Sequence, residues 1–169
     1  MTSALLRARP AMVSDAAAMA EIYNEGIVDR IATFETGPRA AADIAAWFDG
    51  SRPMVVVTDH AGQVAGYAAT FAYADRCCYA GIAEFSVYVR RSHRGQGVGV
   101  IAMQALIEAA TAAGYWKLLS RVFVENQASL ALMAKVGFRE VGIHEKHGKL
   151  DGRWRDVVAV ERILSENLT

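Results

Sequence analysis

The segment Arg91-Ser92-His93-Arg94-Gly95-Gln96-Gly97-Val98-Gly99 sets three glycines and two arginines between an alternating apolar stretch and a long helical pattern. Glycine permits positive φ and close approach of a ligand to the backbone. Backbone N–H groups at a helix mouth point outward with the positive end of the helix dipole, so such a turn suits an anion of the pyrophosphate kind. Taken alone, it equally fits a turn that serves backbone geometry only. The dinucleotide fingerprint needs a glycine where Val100 stands, and the phosphate loop of nucleotide hydrolases ends in Gly-Lys-Ser/Thr; neither pattern is present. Upstream, Glu84 opens the strand that leads into the turn and has apolar neighbours. A carboxylate so placed suits general base chemistry, and it also reads as a polar residue on a wet strand face. Downstream, Asn126 is well placed to cap a helix whose first turn carries Ser129. Arg76, in the stretch before the Glu84 strand, offers a guanidinium fork to an anion.

The elements that must position these residues follow from periodicity and punctuation. Leu5 to Arg9 reads as a strand, Ser14-Asp15 as a helix cap, and Ala16 to about Val28 as an amphipathic helix. Arg39 to Phe48 reads as a second, alanine-rich helix. Met54 to Thr58 and Val64 to Phe71 form a hairpin around Ala61-Gly62. Ile82 to Val89 is the next strand, followed by the glycine turn and a helix from about Gly97 to Ala113 that stops at Gly114. Leu118 to Val124 is a strand and Gln127 to Val136 a helix. Strands at about Arg139 to His147 and Arg153 to Ile163 close the chain. The expected architecture is one α/β domain over residues 1–169 with a mixed sheet.

Composition narrows the partners. The 169 residues include 18 Lys plus Arg and 18 Asp plus Glu, so zero net charge gives no bulk attraction to nucleic acid or anionic membrane. No apolar run reaches the roughly 20 residues of a membrane span. With 53% hydrophobic and 21% charged residues the chain is expected to be a soluble globule. Residues 1–10 lack an apolar signal core. Adjacent Cys77 and Cys78 are poorly placed to bond to each other, which points to a reducing cytoplasm. His144 and His147 lack the helical spacing of a zinc protease motif, so no metal site is expected.

Arg94-x-x-Gly97-x-Gly99, preceded by Glu84-Phe85-Ser86-Val87-Tyr88-Val89 and followed by Asn126-x-x-Ser129 and Gly137-Phe138, resembles the acetyl-CoA signature of the GCN5-related N-acetyltransferase superfamily. Tyr23-Asn24, Thr33-Phe34-Glu35-Thr36, Gly66-Tyr67-Ala68 and Gly152-x-Trp154-x-Asp156-Val157 extend the resemblance to its phosphinothricin and arsinothricin acetyltransferase branch over nearly the whole chain. The resemblance implies a mostly antiparallel twisted sheet of about seven strands with about four helices, in which strands four and five splay to hold acetyl-CoA. It also implies a cytoplasmic, usually dimeric enzyme that acetylates the α-amine of a glutamate-like amino acid, an activity of the antibiotic and herbicide resistance type. Glu84 would be the general base. The backbone of Ser86, Val87, Tyr88 and Val89 would meet the cofactor's pantetheine, while Arg94, Gly95, Gln96, Gly97, Val98 and Gly99 would hold its pyrophosphate. Asn126 and Ser129 would touch its arm, and Phe34, Glu35, Arg76, Tyr79 and Lys149 would wall the substrate pocket.

Three positions depart from that pattern. Met133, seven residues after Asn126, stands where a tyrosine or histidine serves the leaving sulfur. A thioether cannot donate that proton, but a thiolate with a reference pKa of about 8.5 leaves a polarised site without it. Two arginines of the substrate loop fall on Ala74 and Ala80. Acetylation of a peptide or protein N-terminus, and a catalytically idle CoA-binding module, stand as alternatives.

Overall fold

The computed structural model describes residues 5–169, so the first four residues of the expected domain lie outside it. Its strands are β1 (Arg7–Pro10), β2 (Met54–Thr58), β3 (Val64–Ala72), β4 (Ile82–Val89), β5 (Lys117–Phe123), β6 (Arg139–Leu150) and β7 (Arg153–Ile163). Four α-helices accompany them: α1 (Ala16–Asp29), α2 (Ala41–Ala45), α3 (Val98–Ala112) and α4 (Gln127–Lys135). One sheet joins the strands in the order β1-β2-β3-β4-β5-β7-β6. Its pairings are antiparallel except that of β4 with β5. This is the seven-stranded mixed sheet and four-helix arrangement that the resemblance implied.

Both faces of the central strands are covered, which explains why β3 is buried continuously from Val64 to Thr70 instead of alternately. On one face, α3 presents Ala102, Met103, Leu106, Ile107 and Ala110, at helical spacing, to Val55, Phe85, Leu118 and Val158. On the other, α1 lays Met19 and Ile22 on Val56 and Tyr67. Each large side chain so buried contributes about 1.5–3 kcal/mol, enough in sum to clamp the helices on both sides of the site.

Several boundaries differ from expectation for physical reasons. The second helix shrinks to five residues because Asn24 holds Arg39 outside it, accepting from the Arg39 N–H at 2.8 Å and donating to its C=O at 2.9 Å. Among its residues only Ile44 is buried, so packing gives the flanking alanines little reason to continue. Asp15 does not cap α1. Its carboxylate turns back to the Met12 N–H at 2.8 Å and to Arg9, closing a 3₁₀ turn over Val13–Asp15. β1 starts two residues later than expected, and β6 runs on to Leu150 because the hairpin with β7 absorbs a bulge between His144 and Gly148.

Candidate active site

β4 and β5 pair at Ile82 with Lys117, Ala83 with Leu118 and Glu84 with Leu119, and then part. Beyond that step the two strands enclose a cavity of about 100 Å³ lined by Ser86, Val87, Tyr88, Ser120, Arg121, Phe123, Asn126, Ser129 and Met133 among others. The fork is held at its base by the Ser120 hydroxyl, which donates to the Phe85 carbonyl at 2.9 Å. Backbone groups alternate sides along a strand. Since the Phe85 carbonyl faces β5, those of Val87 and Val89 face the opening too, while Ser86 and Tyr88 spend theirs on β3. Of the four residues Ser86 to Val89, Val87 and Val89 thus have backbone groups that face the opening, and the Val89 carbonyl accepts from Arg94 Nε at 3.3 Å.

The glycine turn sits at the open end of the fork. Gly95 and Gly97 adopt φ of +76° and +86°, and a Cβ at either would meet nothing within 4 Å, so the turn presents bare backbone outward. Gly97 precedes α3. The first helical bond is Ile101 N–H to Gly97 C=O at 3.2 Å, so the N–H groups of Val98, Gly99 and Val100 have no acceptor within the helix. Together with the α3 dipole they give the turn a local preference for an anion. Gly99 also meets a packing need: a Cβ there would lie 2.9 Å from the Leu132 side chain, so this glycine lets α3 approach α4. Gln96 turns its amide back onto the Ser92 carbonyl at 3.3 Å.

Arg94 is tethered by Asp29 at 2.7 Å, and Arg91 shares the same carboxylate at 2.7 Å. Burial pushes the Asp29 carboxyl up, the two guanidiniums outweigh it, and the group ends below the usual carboxylate range. Asn126 combines two tasks, accepting the Ser129 N–H at 3.2 Å as the α4 cap and donating to the Ile31 carbonyl at 3.3 Å. It thereby ties the loop after α1 to the edge of the cavity. Met133 is buried and offers that cavity only a thioether.

Glu84 stands at the fork itself, and Arg121 Nη2 meets its Oε1 at 2.5 Å. Both side chains are partly exposed, and pairs of that kind contribute about 0–1 kcal/mol. Arg121 was not among the residues singled out from the sequence. Alternation along β5 does put Arg121 and Phe123 on one face, but only the β4 to β5 register puts that face beside Glu84.

The expected pocket walls divide. Phe34 packs edge-on against Phe123 at 4.7 Å between ring centres, directly beside the cavity, and Gly148 makes room for its ring. Glu35 is exposed and pairs with Arg39 at 3.4 Å. Arg76 and Tyr79 lie in the loop leading into β4, with Tyr79 edge-on to Tyr73. Lys149 does not join Phe34. It follows Gly148 on β6 and so points to the opposite face, where its ammonium stacks 4.9 Å over Trp154. Tyr88 fills a tyrosine cluster with Tyr23 and Tyr67, and burial drives its hydroxyl well above the usual range.

Comparison with known proteins agrees with this geometry. Residues 19–138 match the acetyltransferase (GNAT) family. An L-methionine sulfoximine/L-methionine sulfone acetyltransferase of Pseudomonas paraeruginosa is 35% identical over 157 residues, covering 90% of this chain and 91% of the relative. A phosphinothricin N-acetyltransferase of Streptomyces coelicolor is 30% identical over 168 residues, covering 96% and 98%. The crystal structure of a phosphinothricin acetyltransferase from Sinorhizobium meliloti in complex with acetyl-CoA superposes with a TM-score of 0.88 at 31% identity, over 94% of this chain and 88% of that one. With most of its length inside the family match and near-full-length relatives at this identity, the chain belongs to the acetyltransferase (GNAT) family and is an acetyl-CoA-dependent N-acetyltransferase.

Proposed function

We propose that the protein acetylates the α-amino group of a small amino acid or of a toxic glutamate analogue such as phosphinothricin, arsinothricin, methionine sulfoximine or methionine sulfone. The observation that carries this reading is the position of Glu84 at the fork of β4 and β5, with the glycine turn at the open end. The names of the relatives from Pseudomonas and Streptomyces point to the same acceptor class.

Acetyl-CoA supplies an activated thioester carbonyl. In this reading the N–H groups of Val98, Gly99 and Val100, with Arg94, hold its pyrophosphate, and the Val87 and Val89 backbone pairs with its pantetheine like an added strand. The Val87 N–H polarises the carbonyl oxygen as negative charge gathers there. Glu84 takes the proton that the acceptor amine must lose, directly or through a water. As the new N–C bond forms and the C–S bond breaks, the sulfur departs as a thiolate and takes its proton from water, because Met133 has none to give.

We also propose a homodimer in the cytoplasm. Supporting the dimer, β6 is a twelve-residue edge strand exposed over nearly its whole length, and Ile143 and Trp154 leave more than half their surface open on the hairpin. Two exposed free cysteines, Cys77 and Cys78, fit a reducing compartment.

A thiol-release assay with acetyl-CoA tests the central reading. Glutamate, L-methionine sulfone, L-methionine sulfoximine, phosphinothricin, arsinothricin and short peptides would be offered in turn. Turnover of at least one free amino acid in preference to the peptides is expected. Preference for peptides would move the reading to N-terminal acetylation, and acetyl-CoA binding with no CoA release across the panel would mark a non-catalytic module.

A further inference from the structure

An α-amino acid carries a carboxylate beside the amine to be acetylated, and a site for it needs a cation within reach of the base. Two of the three loop positions where the family resemblance places arginines hold Ala74 and Ala80. The third, Arg76, is exposed and enters no ion pair among the described residues. Arg121 lies two residues past Leu119, the last β5 residue paired with β4, lines the cavity, and touches Glu84 at 2.5 Å. Its side chain is 41% exposed and that of Glu84 31%, so a solute can reach both.

Resting on the amino-acid reading above, we propose that Arg121 binds the α-carboxylate of the acyl acceptor, and that this carboxylate displaces Glu84 from the guanidinium. The guanidinium fork matches a carboxylate in bidentate fashion, whereas Glu84 engages it through one nitrogen and one oxygen. An arriving carboxylate is therefore a strong competitor for a partly solvated pair. Amine and carboxylate of an α-amino acid share one carbon, so seating the carboxylate on Arg121 brings the amine next to the Glu84 oxygen just released. The freed carboxylate then takes a proton from the substrate ammonium. An amine without a carboxylate leaves Glu84 held, so the pair works as a selectivity filter for amino acids.

The test uses L-methionine sulfone, whose side chain is uncharged, and its decarboxylated amine, with wild type, Arg121→Gln and Arg121→Lys. Arg121→Gln is expected to raise KM for the sulfone by about 10- to 100-fold, the loss of a charged hydrogen bond, and to weaken its binding to the enzyme–CoA complex in calorimetry by the same factor. Arg121→Lys recovers part of that affinity. The kcat for the decarboxylated amine is expected to rise in Arg121→Gln above the wild-type value, because Glu84 is no longer held. A parallel fall for both substrates would make Arg121 a purely structural residue and overturn the proposal, as would an unchanged sulfone KM. An unchanged amine rate with weakened sulfone binding overturns the exchange step. Wild-type enzyme that turns over no free amino acid, and only peptides, overturns the functional reading itself.

Discussion

The carboxylate of Glu84 and the guanidinium of Arg121 meet at 2.5 Å at the last paired step of β4 and β5, from residues 37 apart in the chain. One contact thus joins the strand that leads into the glycine turn to the strand that leads into the Asn126 cap. The same step marks where the sheet opens.

Replacing Glu84 with Gln keeps the shape of the side chain and removes its basicity. General base catalysis contributes about 10²–10⁴-fold, so kcat is expected to fall within that range. Acetyl-CoA affinity stays near wild type, because the groups proposed to hold it lie on the turn and on the β4 backbone. Steady-state kinetics and calorimetry separate the two effects, and identical activity against pH in wild type and variant would remove Glu84 as the base.

Arg94→Ala takes away a side chain held against the turn by Asp29. If it grips the pyrophosphate, the loss of one charged contact, about 1.5–3 kcal/mol, weakens acetyl-CoA binding roughly 10- to 100-fold and leaves KM for the amino acid near wild type. Weaker binding that persists unchanged at high salt would argue against a charge contact.

Asp15 makes an acid-stability prediction. Hydrogen bonds from Arg9 hold its carboxyl below the usual carboxylate range; burial opposes them, and the Met12 N–H and the Arg9 charge add to them. Because the folded value is lowered, the stabilisation is fully present above the unfolded value, near pH 4, and is lost as pH falls through the folded one. Asp15→Asn is therefore expected to cost about 1–3 kcal/mol at pH 7 and progressively less below pH 4. Thermal melts across pH 2–7 would show the two curves converging in acid, and a constant gap would refute the assignment.

Tyr67 is fully buried, and its hydroxyl has no hydrogen-bond partner among the described residues. A buried donor without a partner costs about 1–3 kcal/mol, so Tyr67→Phe is expected to stabilise the protein by about 1 kcal/mol, or roughly 2–4 °C in Tm at this size. A lower Tm would reveal a partner for the hydroxyl.

Much of the scaffold was legible from local signals. β2 and β4 occupy the expected residues, and β7 closes the chain where expected. Gly114 and Gly137 end α3 and α4 with positive φ, because periodicity and end-capping are properties of neighbouring residues. The glycine turn, Glu84 and the Asn126 cap were visible for the same reason, since each sits at a fixed offset from an element boundary. What the sequence left open was which faces meet. Phe34 and Lys149 were both read as pocket walls, and strand alternation puts the Lys149 side chain on the face of the hairpin opposite the Phe34 ring. Gly99 was read with the anion turn from its spacing, and the approach of Leu132 from α4 adds a packing reason for glycine there that the sequence did not show. Arg121 carries no motif of its own, so nothing in its neighbours distinguishes it from a surface arginine. By itself the sequence determined the elements, the turn and the family, because those rest on short-range pattern. Only the tertiary structure decided that Glu84 has a cationic partner and at which step β4 and β5 part, because both depend on the register between strands brought together from distant parts of the chain.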